Sequence, residues 1–423
     1  MGKSLNEAVA SNLRATIDRE VQSGVVPPFE YFAADRDGDI IFSHISGTRG
    51  LGSSEPLALD TIFWMASLTK LITTIACMQL VEQGYITLDD PEQVALVAPE
   101  LSKFQVLHRC DGGGFQLEDQ RKPITLRMLL NHTAGFGYAF DDPRLRDWSL
   151  PAGIDDFHAD FSELLRHQLV NQPGEKWQYG VGLDWAGVIL ERLTKTTLDD
   201  YVQKHIVQPL GLKDITFVPT DSMKQRLAYM HQRQPDGILQ RTEHINRRHL
   251  LAHTRKEAQA VFQMGGCGCF GRPDQYCQII ATLLNGGYNS KAGVRLLRQE
   301  TVEVMFEDQI ADKPIYTYKT WETAKPLLAN SSPLFPPPKD ANSEDDTMGW
   351  GLSFALTLRA GSTGRSAGTA SWEGLPNLYW FADRQNGLGG IIAAQVLPYG
   401  DKPIVGLSEE IETAIYKAYS RPD

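Results

Sequence analysis

The run from Thr61 to Glu82, TIFWMASLTKLITTIACMQLVE, constrains the fold of this chain more than any other stretch. Apolar residues at Met65, Leu68, Leu71, Ile72, Ile75 and Met78 recur at helical spacing, which predicts a mostly buried helix. Positions three apart stack on one helix face, so Ser67 and Lys70 stand one above the other, hydroxyl beside amine. A serine hydroxyl is a poor nucleophile until a neighbouring group takes its proton. Burial disfavours the charged form of a lysine, which suits an amine to that work. The plain alternative is that S-x-x-K arises by chance in a chain of 423 residues, so the pair needs support from elsewhere.

Composition removes several classes of function. A formal net charge of -11 argues against nucleic acid or an anionic membrane as the main partner. No run of about 18 apolar residues is present to span a bilayer. The first 21 residues carry an amphipathic pattern (Leu5, Val9, Leu13, Ile17, Val21) and not that of a secretory leader. Asn6 stands where a myristoylation signal needs Ser or Thr. A cytoplasmic protein is expected. The five cysteines are an odd count without a disulfide-framework spacing, and they read as small buried hydrophobes. Cys267-x-Cys269 with Cys277 lacks a histidine or fourth cysteine at zinc spacing, so no metal is expected. Gly266-x-Gly268-x-x-Gly271 matches a dinucleotide fingerprint, yet no acidic residue follows at the right distance, and Pro273-Asp274 reads as the start of a helix. No G-x-S-x-G is present for an α/β-hydrolase elbow, and no cofactor is expected.

Along the chain, Phe29 to Asp35 and Ile40 to Ser46 flank Asp37-Gly38, which predicts a hairpin. Helical patterns dominate from about Leu126 to Leu250, including Leu126 to Gly135, Trp185 to Thr194 and Leu198 to Val207. Strand-like runs return at Trp350 to Leu358, Asn377 to Ala382 and Leu388 to Val396, with a Pro-rich surface loop at Ser331 to Pro338. A helix from Ile404 to Tyr419 is expected to pack on the sheet beside the N-terminal helix. The organisation expected is a discontinuous sheet domain, residues 1–60 and 255–423, and a mainly helical domain, residues 61–254, carrying the Ser67 helix.

Several motifs then fall in order. Leu129-Leu130-Asn131-His132-Thr133-Ala134-Gly135 resembles the "LLxHTSG" turn of the class C and family VIII esterase branch of the serine β-lactamase and penicillin-binding protein superfamily. Pro173-Gly174-Glu175-Lys176-Trp177-Gln178-Tyr179 resembles the segment that delivers that branch's catalytic tyrosine. Gly265 to Phe270, Asn285-Gly286-Gly287 and Gly349-Trp350-Gly351 keep the family order. Within the branch, Ala66 to Ile75, Ile124 to Arg127, Tyr179 to Gly187 and Pro376-Asn377 are most similar to polyketide acyltransferases of the lovastatin type, over nearly the whole chain. The resemblance implies an α+β fold of serine β-lactamase/penicillin-binding-protein type, an antiparallel sheet flanked by helices with an inserted helical domain. Departures matter. Gly182 stands where β-lactamases have the asparagine of Tyr-x-Asn, Trp372-Glu373-Gly374-Leu375 stands for Lys-Thr-Gly, and no Ser-Asp-Asn occurs. The groups that grip a β-lactam carboxylate are missing, which argues against lactam hydrolysis. Glu373 is expected to point away from the site.

The resemblance implies roles. Ser67 is the nucleophile, and Tyr179, its phenolate favoured by Lys70, takes the serine proton and later that of an alcohol; Lys70 as the base is the open alternative. The backbone N–H groups of Ser67 and Leu375 would form the oxyanion hole, each donor worth about 3 kcal/mol. Tyr138, Trp372, Gly374 and Tyr399 would bind substrate, though each aromatic residue is equally at home as plain packing. The expected activity is transfer of an acyl group from a thioester, on an acyl carrier protein of a polyketide synthase or on coenzyme A, to a small-molecule alcohol. A carboxylesterase of the same fold is the rival reading, and a catalytically inactive binding protein the third. Arg247-Arg248-His249 with Arg255-Lys256 is the one dense basic patch for docking a carrier protein, against the alternative of a solvated helix face.

Overall fold

Phe29, Tyr31 and Ala33 alternate with Phe32 and Ala34, all buried, so the first strand carries buried apolar residues on both faces and its sheet must be covered on both sides. The computed structural model describes residues 5–312, 323–330 and 348–419. In chain order, helix α1 (Glu7–Gln22) precedes strands β1 (Phe29–Asp35) and β2 (Ile40–Ser46). Strand β3 (Phe63–Trp64), a 3₁₀ turn (Ala66–Leu68) and helix α2 (Thr69–Glu82) follow. Further on come α3 (Leu126–Leu130), α4 (Gly182–Thr194), β4 (Phe270–Gly271) and α5 (Pro273–Leu284). The last part holds β5 (Met348–Trp350), β6 (Ala355–Thr357), β7 (Thr369–Gly374), β8 (Leu378–Asp383), β9 (Leu388–Ala393) and α6 (Lys402–Tyr419).

Seven of these strands form one antiparallel sheet in the order β5-β6-β7-β8-β9-β1-β2, so both ends of the chain build it. One face is closed by α1 and α6, whose Leu13, Ile17, Ile404, Ile411 and Ile415 meet Tyr31, Ala33 and Ile392. The other face carries α5 against β1, β8 and β9. Helix α2 lies beyond, buried along nearly its whole length and packed on α4. The hairpin and the last helix stand where the sequence predicts them.

Other expectations are corrected. The helix expected from Thr61 begins at Thr69, because Phe63 and Trp64 pair with Gly271 and Phe270 as a strand. Leu198–Val202 is α-helical, but Gln203–Val207 winds as a π-helix. The block expected to be helical also holds a hairpin, Met230–Arg233 with Leu239–Thr242, which pairs in parallel with Val396–Leu397. The strand expected over Trp350 to Leu358 is a hairpin, β5 and β6, turning through Ser353 at φ 72°. Strand β7 holds Trp372-Glu373-Gly374, the run that stands for the Lys-Thr-Gly of the strand beside the site, and the Pro-rich run 331–338 lies outside the described residues. Among the described residues no helix is long and apolar enough to cross a membrane.

Candidate active site

Local backbone constraints deliver Ser67. Ala66 holds φ 44°, a left-handed value that non-glycine residues adopt rarely and at a cost of about 1–3 kcal/mol. The surrounding bonds overdetermine it. The Met65 N–H donates to the Cys269 carbonyl, the Leu68 N–H to the Met65 carbonyl, and Tyr276 OH to the Leu68 carbonyl. The segment Gly265–Phe270 is bound to the start of α2 by Thr69 Oγ1, which accepts from the Cys269 N–H at 3.0 Å, and by Thr73 Oγ1, which donates to the Gly265 carbonyl at 2.7 Å. Its glycines serve this close approach, since a Cβ on Gly265 would stand 2.4 Å from the Leu183 carbonyl oxygen. The dinucleotide-like spacing is therefore packing.

Lys70 is wholly buried one turn after Ser67. Its Nζ donates to Ser67 Oγ at 3.1 Å, to Tyr138 OH at 3.1 Å and to the Gly266 carbonyl at 2.8 Å. These three acceptors use all three donors of an ammonium. Burial lowers its pKa to about 8, against the opposing pull of Cys267 and Asp184. Tyr179 OH donates to Ser67 Oγ at 2.6 Å, and Trp372 Nε1 donates to Tyr179 OH at 3.2 Å. The result is a line of polar atoms, Lys70 to Ser67 to Tyr179 to Trp372, walled by ring contacts of Tyr179 with Tyr138 and Trp372 at 5.1 and 5.0 Å. Burial raises the Tyr179 phenol above its ordinary value, opposite to the resting phenolate expected from the sequence.

Two loops place the tyrosines. Val170 N–H donates to the Gly135 carbonyl, Gly174 N–H to the Thr133 carbonyl and Gln178 N–H to the His132 carbonyl. His132 Nδ1 accepts from the Gly180 N–H at 3.4 Å, with its ring 4.8 Å from that of Tyr179. Gly135 sits at φ 91°, and a Cβ there would lie 2.1 Å from the Asn171 carbonyl oxygen. Gly135→Ala is therefore expected to destabilise the fold by about 2–4 kcal/mol, read by denaturant unfolding. A loss below about 1 kcal/mol would mean that the two loops part easily.

Ser67, Tyr138, Tyr179, Trp372, Gly374, Leu375 and Tyr399 line one cavity that opens to solvent, and Lys70 lies below Ser67. The structure thus brings every sequence-predicted site residue together. Gly374 lets the end of β7 approach the Ser67 turn, since a Cβ would meet the Met65 carbonyl oxygen and Leu68 Cδ1, each at 3.2 Å. Glu373 does not point away. It lines the cavity, accepts a hydrogen bond from Tyr399 OH, and is raised by burial to about 7.

Sequence reasoning missed four groups. Asp184, buried on α4, accepts the Gly266 N–H at 3.0 Å and so orients the carbonyl that holds Lys70; burial raises it to about 6. Its signal was its place in the family-like run Tyr179 to Gly187. Asp141, Phe140 and Phe157 also line the cavity, and nothing in their local pattern announced it. The first half of the basic patch is already engaged within the chain. Arg247 is paired with Glu243, Arg248 with Asp160, and His249 is buried against Asn246.

Comparison with known proteins places this geometry among relatives. The family described as Beta-lactamase matches residues 13–405. The chain is similar to monacolin J acid methylbutanoyltransferase of Aspergillus terreus, at 30% identity with all of both chains covered. It is also similar to lovastatin esterase of Penicillium rubens, at 31% identity over 96% of this chain and 98% of the relative. Among solved structures, unliganded simvastatin synthase from Aspergillus terreus superposes with a TM-score of 0.81 at 29% identity, covering 98% of this chain and 99% of that one.

Proposed function

The chain belongs to the beta-lactamase family, and from that premise we propose that it is an acyltransferase moving an acyl group from a thioester, through an ester on Ser67, to a hydroxyl of a polyketide-type small molecule. The observation that carries this reading is Ser67 Oγ held between Lys70 Nζ and Tyr179 OH at the wall of an aromatic cavity, in a chain similar from end to end to a methylbutanoyltransferase.

The cycle runs as follows in this reading. The neutral fraction of Lys70 takes the proton of Ser67, whose oxygen bonds to the thioester carbonyl carbon. The tetrahedral oxyanion is met by the backbone N–H groups of Ser67 and Leu375. As the C–S bond breaks, Tyr179 gives its proton to the departing thiolate, and the phenolate is stabilised by the new Lys70 ammonium, 4.6 Å from the ring centroid. The acceptor alcohol then enters, loses its proton to Tyr179 and bonds to the ester carbonyl. Ser67 leaves and recovers its proton from Lys70, restoring the starting state. Trp372 Nε1 keeps Tyr179 OH aimed at Ser67 throughout.

A hydrolytic reading has one specific support, the similarity to lovastatin esterase, and differs only in water replacing the alcohol. The donor is a thioester on coenzyme A or on a carrier protein, and the paired arginines at 247 and 248 lend no support to carrier docking there. A cytoplasmic location belongs to the same reading, supported by five unpaired cysteines.

Intact-protein mass spectrometry after mixing with a short branched acyl thioester tests the proposal. An adduct of the acyl mass that added alcohols discharge faster than water does is the expected result. An adduct that water clears within seconds, with no gain from any alcohol, would establish the hydrolase instead.

A further inference from the structure

We propose that the cavity beside Ser67 is built for an acceptor that carries a cationic nitrogen near the hydroxyl to be acylated. This rests on the reading of that cavity as the acceptor site. Its walls include six aromatic side chains, Tyr138, Phe140, Phe157, Tyr179, Trp372 and Tyr399, and two acidic ones, Asp141 and Glu373. Among the described residues the lining holds no Lys, Arg or His.

The two carboxyl groups are not consumed by the fold. Asp141 is only 7% exposed, yet its side chain has no hydrogen-bond partner among the described residues. Its neighbour Asp142 shows the contrast, with both oxygens taken by Arg144. Glu373 spends one oxygen on Tyr399 OH, and the cation nearest in its electrostatics, Arg365, is already bound to both oxygens of Glu412. Lys70 does not answer them either, since its three donors go to Ser67, Tyr138 and Gly266.

A buried carboxyl without a partner is costly, and burial accordingly holds Asp141 well above the usual carboxylate range. A ligand cation would reverse that cost by favouring ionisation of both acids, and the surrounding ring faces attract it further. A carboxylate in the same place would find no cationic side chain in the lining and would further oppose ionisation of both acids. In this respect the cavity differs from what the name of the monacolin J acid relative implies of its acceptor.

Tryptophan fluorescence of the full chain reads the preference directly, using choline, its uncharged isostere neohexyl alcohol, and anionic tert-butylacetate. Choline is expected to bind about tenfold tighter than neohexyl alcohol, with tert-butylacetate weakest. Asp141→Asn and Glu373→Gln are each expected to narrow the choline advantage to about threefold or less. Equal binding of choline and neohexyl alcohol, or tightest binding of tert-butylacetate, overturns the proposal without recourse to any variant. The readout needs no chemistry, so a chain that selects choline but never forms an ester on Ser67 sinks the acyltransferase reading alone.

Discussion

Ser67→Ala is expected to abolish the acyl adduct and to lower turnover of thioesters and simple esters by roughly four to six orders of magnitude. The size follows from geometry. Among the described residues, Ser67 Oγ is the one atom hydrogen-bonded to both Lys70 Nζ and Tyr179 OH, so its loss leaves base and acid without a shared partner. Residual hydrolysis would come from water bound in place of the hydroxyl and polarised by the oxyanion donors, the kind of remainder seen when a triad member is removed. Stability should move little, because Ser67 is half-buried at a turn fixed by Met65, Leu68 and Tyr276 and not by its own side chain. An unchanged unfolding midpoint with no adduct would assign the nucleophile. An adduct that persists on Ser67→Ala would move the covalent chemistry to another residue and end the mechanism proposed above.

The site was legible in part, for a physical reason. Ser67 and Lys70 are three residues apart, so helical spacing alone puts them side by side. Tyr179 came from a local motif. The partners that complete the arrangement are distant in sequence: Tyr138 is 68 residues from Lys70, Gly266 is 196, and Trp372 is 193 from Tyr179. No periodicity reports such contacts; only the resemblance suggested that Tyr138 and Trp372 belonged nearby, and it left Gly266 and Asp184 without roles. Glu373 was misread because nothing in its local sequence reports Tyr399, 26 residues on, with which the end of β7 presents it to the cavity. The fold erred at similar places. Phe63 to Met65 satisfy both an apolar helix and a buried strand, and the left-handed Ala66 that separates strand from helix has no sequence signature.

Lys70→Met carries the second large effect and decides which group starts the cycle. The substitution keeps the stem and removes the amine, so acylation is expected to fall by about three to four orders of magnitude while the fold persists. Stability should hold within about 2 kcal/mol, since relief from burying an ammonium offsets the bonds lost by Tyr138 and the Gly266 carbonyl. The pH profile gives the sign. Lys70 is lowered to about 8, so its neutral form is scarce at pH 6 and dominant above pH 9. Single-turnover acylation of the parent should therefore rise about tenfold per pH unit below 8 and level off above it. Because Lys70 and Tyr179 flank the same oxygen, one lost proton belongs to the pair, and the parent profile alone cannot apportion it. Tyr179→Phe separates them. It should cost about two to three orders of magnitude through the lost bond to Ser67 and the lost thiolate proton, yet keep the rise towards pH 8. If the rise instead vanished in Tyr179→Phe and survived in Lys70→Met, the phenol would be the resting base, and the burial that raises it would have to be overcome by bound substrate.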